Sequence, residues 1–89
     1  MSLIDEARRK INVIDEEMVK LFEERMAAVL NVLKYKKEHN LAVFDSKREE
    51  EIIAKNLSLL KDSSLKEYYL EFFNAVLSSS KKYQEDNYE

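Results

Sequence analysis

Four cations in this sequence stand where helices should carry apolar side chains: Arg8, Arg25 and Lys36 on one long segment, and Arg48 on the next. Stepping by three and four from Ile4 gives Ile4, Arg8, Ile11, Asp15, Met18, Phe22, Arg25, Val29, Val32 and Lys36. That is a stripe of helical period interrupted by four ionisable groups. A second stripe, Asp45, Arg48/Glu49, Ile52/Ile53, Asn56/Leu57, Leu60, opens on charges. A third, Leu65, Tyr69, Phe72/Phe73, Val76/Leu77, ends on Ser80 and Gln84, one turn apart. Surface charge explains any one of these interruptions. Helices that lose apolar character at aligned positions point instead to an internal polar pocket. Arg8, Arg25, Lys36 and Arg48 dominate its charge, with Glu49 a minority acceptor, which suits a small polyanion.

Each residue also has a plainer explanation. Arg8, near a helix end, can extend its guanidinium to water along its own aliphatic stem. Lys36 in a last turn complements the helix dipole, and Asp15 can stand solvated or beside a cation. Arg25 lies mid-helix among Phe22, Val29 and Val32, where reaching water is harder. A guanidinium buried there needs a carboxylate partner or a bound anion.

Composition removes most competing chemistries. The 89 residues contain no Gly, no Pro and no Cys, although an average chain is roughly 7% Gly and 5% Pro. Hairpin turns and phosphate-cradling loops are hard to build without them, so an all-α fold is expected. The apolar content of 45% beside 37% charged residues supports a real core rather than disorder. Without Cys there are neither disulfides nor thiolate nucleophiles. With His39 as the sole histidine, zinc sets and Ser-His-Asp arrangements are unavailable, so no metal and no cofactor are expected. The net charge of -3 argues against nucleic acid, whose phosphates need a cationic surface. No apolar run approaches the ~18 residues of a membrane span, and no signal-like segment opens the chain. The expected location is cytoplasmic.

Three helices must position these residues. The first runs from about Leu3 to Lys37, with Asp5 and Glu6 in its first turn and lysines in its last, as the dipole favours. HNLAV (39–43) breaks the period, and Asn40 suits a left-handed cap in place of the missing glycine. Asp45 or Ser46 caps the second helix, and Glu49 lies at capping-box distance from Ser46. KDSS (61–64) is the second break, with Asp62 or Ser63 capping the third helix. Residues 1–89 form one domain with a core of about 3–84, and the polar tail 85–89 is expected to fray.

Length then bears on assembly. A helix from Leu3 to Lys37 spans roughly 52 Å, whereas a compact chain of this size has a radius of gyration of ~12 Å and a diameter near ~31 Å. The first helix overshoots by about 20 Å, and its stripe stays apolar along the overhang. A symmetric homodimer with paired long helices is the economical cover.

The fragments ARRKINVID, FEERMA, VLKYKK and VFDSKREEE, with the terminal Ser80 and Gln84, resemble the all-helical chorismate mutases from about Leu3 to Gln84. The most specific pieces are VxDxxRE (43–49) and the spacing of Arg8, Arg25 and Lys36. The resemblance implies an intertwined homodimer of three-helix chains that converts chorismate to prephenate on the way to phenylalanine and tyrosine. It also implies that Arg8 of the partner subunit and Arg25 hold the substrate carboxylates, helped by Ser80. Lys36 and Gln84 would face the breaking ether oxygen, Glu49 would accept from the ring hydroxyl, and Asp45 and Arg48 would complete the pocket. Two departures are visible: Ala42 stands where many relatives carry proline, and the chain is expected to stand alone, without a dehydratase, dehydrogenase or regulatory domain.

Spacing bears on the same point. Arg8 and Arg25 are 17 residues apart, about 26 Å along one helix, so both reach one small substrate only from different subunits. Arg25 and Lys36 are about 16 Å apart, which two long side chains can bridge. Two rivals carry different expectations. A purely structural helical module would pair its stripe cations with carboxylates, and a related all-helical lyase would release salicylate or pyruvate.

Overall fold

The computed structural model describes residues 2–88, and among them there are three α-helices and no strands. α1 spans Leu3–Glu38, α2 Ser46–Leu59 and α3 Lys66–Asp86, with a single 3-10 turn at Ser63–Leu65 before α3. This is the all-α architecture with a very long first helix that the sequence calls for. No helix is long and apolar enough to cross a membrane among the described residues.

Local chemistry sets each boundary. The Ser2 hydroxyl accepts from the Asp5 amide at 3.2 Å and opens α1. At its other end Asn40 takes φ 55°. The Leu41 amide reaches back to the Lys36 carbonyl at 2.8 Å, and the Asn40 amide to the Lys37 carbonyl at 3.3 Å. Those two bonds form a Schellman closure with asparagine in the position glycine usually fills. Asp45, not Ser46, caps α2 by accepting from the Arg48 amide at 3.0 Å. The Ser46–Glu49 capping box therefore does not form, and the Glu49 carboxylate is left for another partner. Asp62 caps the 3-10 turn rather than α3 itself. The Ser64 hydroxyl and then the Ser64 amide, both on its carboxylate, hold Asp62 below the usual aspartate range.

α3 is the hub, packing against α1 on one side and α2 on the other. Leu33 of α1 with Phe73 and Leu77 of α3 are the buried apolar residues. Asn56 of α2 donates to the Tyr69 hydroxyl at 3.2 Å and ties α2 to α3. Beyond Gln84, α3 continues through Asp86, and the Tyr88 hydroxyl donates to the Leu41 carbonyl at 3.0 Å. Glu89 lies outside the described residues.

The molecule measures 56 × 25 × 16 Å, with a radius of gyration of 16.3 Å against ~12 Å for a compact chain of this length. The excess is the first half of α1, since every residue from Ser2 to Glu24 is exposed. Ile4, Ile11, Met18 and Phe22, placed on a burial stripe by their spacing, are among them, as are Ile14 and Leu21 beside it. Among the described residues, α3 reaches this half of α1 only at its end, where Met18, Leu21 and Phe22 share a groove with Tyr69, Phe72, Phe73 and Val76.

Candidate active site

α3 brings two polar side chains into the interior on the turn that follows Leu77. Ser80 and Gln84 are only 6% and 7% exposed, so their polar atoms need partners. The Ser80 hydroxyl donates to the Val76 carbonyl at 2.9 Å, the bond a helical serine commonly makes to the preceding turn. Its oxygen accepts a short hydrogen bond from Arg25 Nη1 of α1. The Arg25 guanidinium also lies over the Phe73 ring, 5.8 Å from its centroid. One turn along, Gln84 Oε1 accepts from Lys36 Nζ at 3.2 Å, and the same ammonium donates to the Val43 carbonyl at 2.7 Å. Arg25 and Lys36, eleven residues apart on α1, are thus anchored four residues apart on α3.

These groups wall a cleft of about 170 Å³ between the second half of α1, the 43–45 loop, the start of α2 and the end of α3. That is below the ~300 Å³ lower end for sites that take drug-sized ligands. Arg25, Lys36, Asp45, Arg48, Glu49, Ser80 and Gln84 all line it, above an apolar floor of Val29, Val32, Ile52 and Leu77. Arg8 does not. It is exposed on the overhanging half of α1, about 26 Å along the helix from Arg25.

The electrostatics separate the readings. Among the described residues the ion pairs within 4.0 Å are Lys81–Glu49 and Lys82–Asp86. Arg25, Lys36 and Arg48 therefore have no carboxylate partner in the cleft that they line. Arg25 is held by a hydroxyl, and Lys36 by an amide oxygen and a carbonyl, all neutral acceptors that leave the positive charge uncompensated. An ammonium has three donors, and two of those on Lys36 are engaged. A rigidly held cation with one donor left over is suited to charge that appears in the cleft. Among the described residues no group of three or more His, Cys, Asp or Glu could hold a metal ion.

Two contributors to the wall were not legible as site residues. The Val43 carbonyl is a backbone group and leaves no side-chain signal. Lys81 lines the cleft, its ammonium 3.2 Å from Glu49 Oε2 and 4.6 Å from the Phe44 ring centroid. It lies one residue off the stripe traced through Ser80. Its offsets of four from Leu77 and three from Gln84 are the signal that would have found it.

In this three-helix, all-α chain, a compact cleft lined by Arg25, Lys36 and Arg48 without a carboxylate partner has the charge that suits a small anion. The chain belongs to the chorismate mutase type II family, whose model matches residues 7–85. It is 36% identical over 74 residues to the bifunctional chorismate mutase/prephenate dehydratase of Buchnera aphidicola subsp. Acyrthosiphon pisum (strain APS). The match covers 82% of this chain and 19% of that protein, so the chain spans about a fifth of the relative's length. No solved structure matches it. α1, α2 and α3 make up that family's all-helical domain type.

Proposed function

We propose that two copies of this chain form an intertwined dimer that rearranges chorismate to prephenate in cationic pockets shared between subunits. One observation carries the reading: Arg25 and Lys36 wall a cleft without a carboxylate to neutralise them, in a chain of the chorismate mutase type II family. A structural module would have spent those charges on ion pairs.

The reaction is unimolecular. A C–O ether bond breaks as a C–C bond forms within one molecule, so it calls for no nucleophile, metal or cofactor. The enzyme contributes conformational restraint and charge placed where the transition state develops it. Arg25, with Arg8 of the partner subunit, would clamp the two carboxylates and hold the substrate folded, with Ser80 fixing the Arg25 guanidinium. Negative charge grows on the ether oxygen as its bond to carbon lengthens. The third donor of Lys36 and the amide of Gln84 would meet it. One such donor is worth about 3–4 kcal/mol of barrier. Glu49 would accept from the ring hydroxyl, and Asp45 and Arg48 would close the side of the pocket nearest α2.

Support for the dimer comes from the overhang. Exposed Ile4, Ile11, Ile14, Met18, Leu21 and Phe22 make an apolar run of a kind that monomers seldom leave open. An apolar groove of about 310 Å³, lined by Met18, Leu21, Phe22, Tyr69, Phe72, Phe73 and Val76, continues it. A second copy laid antiparallel would cover both and carry its Arg8 toward the cleft. Residues 3–84 acting as one domain, and a cytoplasmic setting, belong to the same proposal.

The test is to add chorismate to the purified protein and follow the product. Prephenate is expected. Salicylate or pyruvate would assign the lyase reaction instead, and an unchanged substrate would return the chain to the structural module.

A further inference from the structure

We infer that Lys81 is a positioning residue of the site: through its ion pair it holds the Glu49 carboxylate as a fixed, charge-balanced acceptor for the substrate's ring hydroxyl. The inference rests on the proposed mutase reading and adds to it a residue that the sequence pattern did not single out.

Of the cleft's own carboxylates, Asp45 is exposed and caps α2, its Oδ1 accepting from the Arg48 amide. Glu49 is the more buried of the two and is the acceptor that the proposed site gives to the ring hydroxyl. A free glutamate in a pocket for a dianion is a liability, because its charge repels the substrate and its side chain has several rotamers. Lys81 answers both problems. Its Cα is on α3 beside Ser80, yet its ammonium crosses to α2 and meets Glu49 Oε2 at 3.2 Å. The Phe44 ring, 4.6 Å away in the segment before α2, steadies the same ammonium from a second direction. Both side chains are mostly covered, 30% exposed for Lys81 and 23% for Glu49, so the pair is screened less than a surface bridge. The bond engages Oε2, which leaves Oε1 as the acceptor for the ring hydroxyl.

The charge balance agrees. Within one chain Arg25, Lys36, Arg48 and Lys81 share the cleft with Asp45 and Glu49, and Lys81 is the cation that pairs with Glu49. Without Lys81, Glu49 is left without a cation.

The experiment is a double-mutant cycle on the intact protein with chorismate as substrate, comparing Lys81→Met, Glu49→Gln and the two combined. Lys81→Met is expected to lower kcat/KM about fivefold to tenfold, mostly through KM, because a hydroxyl contact is made in both ground and transition states. Its melting temperature should stay close to that of the unaltered protein, since a part-exposed pair contributes little to folding. Lys81→Arg should recover most of the activity. The double variant should fall no more than about twofold below Glu49→Gln alone, because both changes remove one shared function. Losses that multiply would overturn the inference by making Lys81 an independent ligand, as would undiminished activity in Lys81→Met. If the unaltered protein leaves chorismate unchanged, the mutase reading fails first and this inference falls with it.

Discussion

The two halves of α1 share one helix and one stripe, yet they have different surroundings. From Arg25 onward the stripe meets α3: Leu33 is buried, Arg25 meets Ser80, and Lys36 meets Gln84 and Val43. Before Arg25 the same period continues through Ile11, Ile14, Met18 and Phe22, and every one of them faces solvent. Sequence periodicity is therefore a statement about which face will be covered, and says nothing of whether the cover is in the same chain. One half walls the cleft together with the rest of its own chain. The other is an exposed apolar surface, which the proposed dimer would cover, and it carries the one expected site residue, Arg8, that the single chain leaves outside the cleft.

Substitutions in the two halves should fail in different ways. The largest effect is expected at the site. Lys36→Ala should lower turnover by about 10²–10³-fold, the usual effect of losing one donor to a developing oxyanion. Its cost to the fold is the two bonds to Val43 and Gln84, about 1–3 kcal/mol together, so steady-state kinetics beside thermal melts will separate the two effects. Near-normal turnover in this variant would remove Lys36 from the mechanism.

Ile14→Asp, in the overhanging half, should do the reverse. Ile14 is already 47% exposed in one chain, so a working monomer would scarcely register the change. In a dimer the aspartate is buried against the partner without a counter-charge and should weaken association by about 2–4 kcal/mol. Sedimentation should then show dissociation, and the melting temperature should depend on protein concentration. Activity should fall on dilution and recover at high concentration.

The smallest effect is expected at the hinge that ends the finished half. Asn40→Val, at φ 55°, should cost about 1–2 kcal/mol, because a branched side chain is strained in the left-handed region. Asn40→Gly should be neutral or slightly stabilising in the same denaturant titration.

Much of the fold was legible because the chain offers so few breaks. An uninterrupted helical period, Asn40 and the Asp45 and Asp62 caps fix the elements to within a residue or two. What the sequence could not settle was which of two adjacent polar residues would cap, so Ser46 competed with Asp45 until the backbone chose. The 3-10 turn at 63–65 also gives no distinct pattern over three residues. Tail fraying was expected from polarity alone, and Tyr88 reaching Leu41 across 47 residues is a tertiary contact that local composition does not encode. In the cleft, side-chain types at helical spacing brought forward Arg25, Lys36, Ser80 and Gln84. The pairing of Arg25 with Ser80 and of Lys36 with Gln84, 55 and 48 residues apart, is a product of packing. Lys81 escaped because a lysine one residue off an apolar stripe looks like ordinary surface charge.

The central claim is that each pocket draws Arg8 from one chain and Arg25 with Lys36 from the other. Arg8→Ala and Arg25→Ala proteins should each be nearly inactive, since every pocket then lacks one carboxylate clamp. Unfolded together in equal amounts and refolded, they should pair at random, and half of the dimers should be mixed. A mixed dimer places both substitutions in one pocket and leaves the other intact. About a quarter of the unaltered protein's activity should therefore return, as the exchange of surfaces in a two-fold dimer requires. Activity that stays at the level of the two parent variants would contradict the shared site, because it would mean that both arginines serve each pocket from the same chain.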